Sequence, residues 1–177
     1  EPVCPVYATY HNEEGLNVMV YNRCVGTRYC ANNCSYKVRH FNWLEYETPE
    51  PLNWQFNPDV VVRSVGVMEK CTYCVQMVER AKIRHKSLLM KEHPGQPSTS
   101  IHVTAQDMLL PDGAAQTACQ LACPMGAITF GNVLDPAAAV SRAKSLPRHR
   151  SLLSSLGTDP GTGYLAPAGN PNPAMEA

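Results

Sequence analysis

The sequence predicts a small α+β protein made of two similar units, each built from short strands and helices around closely spaced cysteines. Three observations predict it. Eight cysteines fall within 177 residues, and most stand in C-x2-C or C-x3-C groups. Short runs rich in β-forming residues, bounded by turn residues, precede the first group. The stretch from Tyr73 to Glu92, which opens inside the second group, lacks both Gly and Pro and is made mostly of good helix formers.

The elements follow in order. Residues 6–10, VYATY, and 16–20, LNVMV, read as two strands of a hairpin whose turn, HNEEG, carries Gly15. The second strand leads directly into Cys24, and backbone N–H groups around Gly26 are placed to face an anion there. From Cys34 to Trp43 the sequence is basic and aromatic. Residues 48–66 carry three of the prolines and read as an extended linker. A helix is expected over 73–92, stopped by Pro94, Gly95 and Pro97. The following STSIHVTAQDMLLPDGAAQ holds an expected strand and a turn at Asp112-Gly113. The run ACQLACPMGAITFGN supplies Cys119, Cys123, a helical turn and an expected strand at Ala127–Phe130. Beyond Asp135 the sequence is rich in Ala, Ser, Pro and Gly, and Pro147–Ala177 reads as an extended arm over a partner or as disordered. The units are 1–47, a linker 48–66, 67–134 with an insertion over 75–118, and the arm 135–177.

Charge favours neither of two function classes. Fifteen basic and fifteen acidic side chains cancel, which supports neither a nucleic-acid partner nor a polybasic membrane anchor. No run reaches the roughly eighteen apolar residues of a membrane span; DVVVRSVGVM is broken by Arg63. The opening, Glu-Pro-Val-Cys-Pro, does not read as a signal peptide. It reads as the middle of a longer polypeptide.

The cysteines carry the chemistry. A disulfide framework is the first rival, but neighbours this close usually share a metal or cluster. A structural zinc site is the second, since Cys71-x2-Cys74 followed by Cys119-x3-Cys123 has zinc-like spacing. Zinc does not account for two C-x3-C groups or for the prolines after Cys4 and Cys123. A c-type haem is excluded locally, because the C-x2-C is not followed by His. Bacterial ferredoxins space their cluster ligands C-x2-C-x2-C-x3-C-P, with the last cysteine serving the other cluster. Cys24, Cys30 and Cys34 match that pattern with Thr27 in the second ligand's slot. Cys4-Pro5 and Cys123-Pro124 match its end, and Cys34 does so with Ser35 replacing the proline. The two cysteine-bearing units are thus expected to be tandem bacterial-ferredoxin-like units, with a long insertion and an extended C-terminal arm.

YNRCVGTRYCANNC, VRSVGVMEKCTYCVQ and TACQLACPMGAITFG resemble the iron–sulfur subunits of the polysulfide, dimethyl sulfoxide and nitrate reductase group. Within it they most closely resemble the iron–sulfur subunit of alternative complex III, a bacterial quinol:cytochrome c oxidoreductase. The resemblance covers residues 1–134 well and the arm weakly. It implies four cysteine motifs. The second would end at Cys4, the third would be Cys24, Thr27, Cys30 and Cys34, and the fourth Cys71, Cys74, Cys119 and Cys123, split by 44 residues. It also implies nesting of the second motif with the third and the first with the fourth.

On that scheme Cys4, Cys24 and Cys30 hold a 3Fe–4S cluster whose vacant corner faces Thr27, because threonine is a poor substitute for thiolate. The rival for this corner is a fourth iron carrying oxygen or water. Cys34 completes one 4Fe–4S cluster, Cys71, Cys74 and Cys119 hold three corners of another, and Cys123 gives one corner to the last. The full set needs fifteen cysteines, so beside the eight here seven are expected upstream, one of them directly before Glu1. The resemblance further implies a multi-helix quinone-binding membrane subunit, c-type cytochrome subunits and an extracytoplasmic, periplasmic location. It also implies that the three-iron cluster sits nearest the membrane and has a relatively high potential. The expected role is electron transfer, with no substrate bond made or broken on this chain. A subunit of a molybdopterin respiratory reductase is the rival within this chemistry, and a zinc-stabilised interaction module the rival outside it.

The remaining candidates are weaker. His11, His40, His85, His93, His102 and His149 show no metal-ligand spacing. Arg23, Arg28, Lys37, Arg39 and Lys70 flank cysteines, where they either raise cluster potentials or are simply solvated. Trp43 and Trp54 read as packing residues.

Overall fold

The computed structural model describes residues 1–58, 60–91, 104, 107–167 and 169. They form a small α+β structure of few helices and three two-stranded antiparallel sheets, compatible with a ferredoxin-like fold.

Strand β1 (Thr9–His11) pairs with β2 (Asn17–Met19), Thr9 facing Met19 and His11 facing Asn17. The turn is set by Asn12, whose Oδ1 accepts the N–H groups of Glu14 and Leu16 at 3.2 and 2.9 Å. Gly15 supplies the left-handed step there, at φ 76°. The ladder is shorter than the 6–10 run because Tyr7 takes φ 49° and the segment preceding it wraps Cys4.

After Cys24 a five-residue helix α1 (Tyr29–Asn33) leads to Cys34, and β3 (Arg39–Phe41) pairs with β4 (Met68–Lys70). Residues 43–65 leave and re-enter this ladder. Asn42 closes the loop through its backbone, donating to Val67 O at 3.0 Å and accepting from Gly66 N–H at 2.9 Å. Within the loop Leu52–Gln55 form a turn of 3-10 helix, so the stretch expected to be extended throughout is not.

Helix α2 (Val75–Lys91) stands where the sequence predicts one. Its expected stop at Pro94, Gly95 and Pro97 lies outside the described residues, as do His93, His102 and most of the strand expected after 98. The Asp112-Gly113 turn forms, with Gly113 at φ 78° and Ala114 donating to Pro111 O at 3.0 Å. Helix α3 (Ala118–Ala122) opens with a full capping box between Thr117 and Gln120.

The strand expected at Ala127–Phe130 does not form. Ala127 gives its N–H to Cys123 Sγ instead of a neighbouring strand, and Ile128 is exposed. Helix α4 (Ala139–Lys144) is tied back by Asp112 Oδ2, which accepts the Ala139 N–H at 2.9 Å. The described part of the arm is not simply extended. Strand β5 (His149–Arg150) pairs with β6 (Tyr164–Leu165), and Tyr36 binds the returning arm through Thr162 O at 2.6 Å and through stacking on Tyr164.

The core is slight. Among the described residues, the buried apolar side chains are Ala8, Met68, Val78 and Ala138, and the buried polar ones Thr9 and Thr117. Ala8, Thr9 and Met68 also line the cavity described next, so much of the packing surrounds a hollow.

Candidate functional site

Three segments meet at that hollow. The hairpin end brings Cys4, the loop before α1 brings Cys24 and Thr27, and α1 brings Cys30. Val6, Met19, Val25, Gly26, Arg28 and Met68 also line the hollow. Cys4, Cys24 and Cys30 are each partly exposed. A second hollow beside it is lined by Cys30, Cys34, Tyr36, Arg39 and Glu1.

Two backbone patterns recur at the cysteines. Cys4, Cys34 and Cys123 each begin the same turn: their carbonyls accept the N–H three residues on, from Tyr7, Lys37 and Gly126, at 3.2, 3.3 and 3.2 Å. Those three donor residues are all left-handed, at φ 49°, 54° and 60°. The next N–H then faces sulfur, as Ala8 does to Cys4 at 3.2 Å and Ala127 to Cys123 at 3.4 Å. At Cys34 the Val38 N–H acts on the thiol in the same sense, lowering its pKa. Ser35 in place of proline therefore leaves the turn intact.

The second pattern concerns the C-x3-C groups. Cys30 is the second residue of α1 and Cys119 the second of α3, while Cys34 and Cys123 cap those helices, each donating its N–H at 3.3 Å to the third residue before it.

Cys24 and Cys71 are alike as well. Each accepts the N–H two residues on, from Gly26 at 3.4 Å and Tyr73 at 3.3 Å. Two further donors come from afar in sequence: Met68 N–H to Cys24 Sγ at 3.4 Å, and Ala118 N–H to Cys74 Sγ at 3.2 Å. The latter brings the start of α3, and hence Cys119, back to Cys74 across the insertion. Thr117 Oγ1 accepts from Gln120 N–H and lies 3.2 Å from Cys119 Sγ, free to donate to it. Thiolates that bind iron clusters are held and tuned by such N–H···S and O–H···S contacts. The donor set suits that group.

Electrostatics agree for three of them. At Cys4 and Cys34 burial pushes the thiol up, but the surrounding backbone N–H groups outweigh it and hold the group below its usual value, helped at Cys34 by Arg39. At Cys123 the N–H groups of Ala127 and Met125 do the same. Burial, then the neighbouring Arg39 charge, brings the Lys70 ammonium down to about 8, against the pull of Cys71 and Cys34.

The flanking cations differ in what they touch. Arg23 donates to Tyr7 O, Lys37 to Asn32 O, and the Arg28 guanidinium lies 4.8 and 5.0 Å from the rings of Phe41 and Trp43. Trp43 meets Phe41 edge-on but is largely exposed, as is Trp54, so neither is the buried packing residue expected. Of the histidines, His11 pairs with Glu1 and His85 with the carbonyl of Asp107. Among the described residues, no three His, Cys, Asp or Glu side chains come together as they would around a single metal ion. The sequence reading missed Met68 and Ala118, whose contribution is backbone and leaves no residue signal. It also missed Thr117, which the T-x-x-Q cap signature could have revealed.

No family model matches the chain. Among curated relatives, it is 40% identical over 169 residues to the menaquinone reductase iron–sulfur cluster-binding subunit of Nitratidesulfovibrio vulgaris, covering 93% of this chain and 59% of that one. It is 31% identical to the Hdr-like menaquinol oxidoreductase iron–sulfur subunit 1 of Archaeoglobus fulgidus, over 92% of this chain and 50% of that one. It is 25% identical to a polysulfide reductase polypeptide of Wolinella succinogenes, over 89% and 56%. Its homologues are thus iron–sulfur subunits of the polysulfide, dimethyl sulfoxide and menaquinone reductase group. The chain spans about half to three fifths of the length of the first of these relatives.

Proposed function

We propose that this chain is part of an iron–sulfur electron-transfer subunit of a membrane-bound quinol:cytochrome c oxidoreductase of the alternative complex III kind. The observation that carries the reading is the cavity lined together by Cys4, Cys24, Cys30 and Thr27. Bound clusters would supply one-electron transfer there. The chain's own part is to present thiolates, point N–H donors at them and limit water. Cys4, Cys24 and Cys30 would hold a 3Fe–4S cluster, with Thr27 beside the vacant corner. Cys34, Cys71, Cys74, Cys119 and Cys123 would serve 4Fe–4S clusters completed by cysteines of a preceding segment. The recurring turns at Cys4, Cys34 and Cys123 support tandem ferredoxin-like units.

No helix of the described residues is long and apolar enough to cross a membrane. The loop 43–65 instead exposes Trp43, Leu44, Tyr46, Leu52, Trp54 and Phe56, which suits burial against a larger partner. That partner would be a quinone-binding membrane subunit, with c-type cytochromes receiving the electrons on the periplasmic side.

A subunit of a molybdopterin respiratory reductase is supported about as well, since one relative is named as part of a polysulfide reductase. Purifying the native complex decides between them. Haem c and iron with acid-labile sulfide support the first reading, and molybdenum with iron and sulfide the second. Zinc without sulfide overturns both.

A further inference from the structure

Arg39 and Lys70 face each other directly across the β3–β4 ladder. Like charges in that relation destabilise a sheet unless something compensates. Neither cation pairs with a carboxylate among the described residues. Glu1, which lines the same hollow as Arg39, is engaged by His11 and Asn17. Asn17 partly binds both cations: its Oδ1 accepts from Arg39 Nη2 at 2.7 Å and its carbonyl from Lys70 Nζ. Lys70 Nζ also reaches the carbonyl of Cys71, and Tyr73 lies under it with its ring centre 5.1 Å away.

One donor is left over. Arg39 Nη1 is buried and has no hydrogen-bond partner among the described residues, while Arg39 lines the hollow that also exposes Cys30 and Cys34. A buried guanidinium N–H without an acceptor is costly, so an anion at that hollow is the natural completion. Lys70 directly precedes Cys71 and donates to its carbonyl. Arg39 shares its hollow with Cys34, so the paired cations neighbour both ligand positions.

Resting on the proposed iron–sulfur function, we infer that Arg39 and Lys70 are a cationic bridge between the clusters completed at Cys34 and at Cys71. Its role is to raise both reduction potentials, with Arg39 Nη1 donating to the Cys34 side. Positive charge and N–H donors near a cluster favour its reduced, more negative form. The pair also gives both clusters a common electrostatic neighbour, so altering either residue acts on two centres and leaves the others alone.

The test is an EPR-monitored redox titration of the full-length protein in its native complex, comparing Lys70→Gln, Arg39→Gln, Lys70→Arg and Arg39→Lys. Iron and sulfide are measured on the same samples. Each Gln variant is expected to disfavour reduction of two signals about tenfold, a fall of about 59 mV for one electron. The charge-conserving variants should stay close to the unmodified protein. Unchanged potentials in a Gln variant that retains its iron would overturn the inference, as would equal shifts in Lys70→Gln and Lys70→Arg, or a uniform shift of every signal. The two positions are read independently, so loss of iron from one variant leaves the other to decide. Absence of iron from the unmodified protein would instead strike the proposed function.

Discussion

Ala118 donates its backbone N–H to Cys74 Sγ at 3.2 Å, joining two points 44 residues apart in sequence. The insertion between them begins with α2 and ends at the cap of α3, so that cap fixes where Cys119 returns. Thr117 is buried and accepts the Gln120 N–H in the capping box. Replacing it with Ala removes the cap and the contact with Cys119 Sγ. Thr117→Ala is expected to lower stability by about 1–2 kcal/mol. A thermal unfolding curve checks this, and an unshifted midpoint would contradict the role given to the cap.

Gly26 and Gly15 are both left-handed, yet they predict different outcomes. A Cβ at Gly26 would meet Gly66 O at 2.2 Å and the Phe41 ring at 2.9 Å, whereas one at Gly15 meets nothing within 4 Å. Gly15→Ala should cost only the left-handed strain, about 1–2 kcal/mol. Gly26→Ala adds a backbone clash at the wall of the Cys4 cavity, a further cost of at least about 1–3 kcal/mol. It should also lower iron retention, which Gly15→Ala should not. Paired denaturant titrations and iron analysis check the contrast.

Tyr36 holds the returning arm through a single hydrogen bond to Thr162 O and stacking on Tyr164. Tyr36→Phe keeps the stacking and loses the bond, which is worth about 1 kcal/mol at most on this exposed surface. Tyr36→Ala loses both. Hydrogen exchange at Tyr164 and Ala166, whose N–H groups serve the β5–β6 pairing, should accelerate more in Tyr36→Ala than in Tyr36→Phe, with β1–β4 unaffected. Equal exchange in all three proteins would show that the arm is held by something else.

The readable parts of this protein were those with local causes. The cysteine spacing, the hairpin turn at Asn12–Gly15, helix α2 and the Asp112-Gly113 turn each depend on a few adjacent residues. The β3–β4 ladder did not announce itself. Its strands are three residues each, Arg-His-Phe and Met-Glu-Lys, without alternation, and 26 residues intervene. Ala127–Phe130 misled in the opposite direction. Its composition is that of a strand, but its first N–H is turned to Cys123 Sγ, so the sulfur competes with the ladder for backbone donors. Of the candidate site, the residue types were legible from spacing and the grouping of Cys4 with Cys24 and Cys30 only from the family resemblance, because it depends on long-range packing through Ala8 and Met68.

The proposed vacant corner at Thr27 is tested most directly by EPR of the oxidised native complex carrying Thr27→Cys. A 3Fe–4S centre is paramagnetic when oxidised and a 4Fe–4S centre of the usual kind is not. The account predicts that the oxidised signal of the unmodified protein disappears in the variant, with one additional iron per polypeptide. An unchanged signal and unchanged iron content would contradict it.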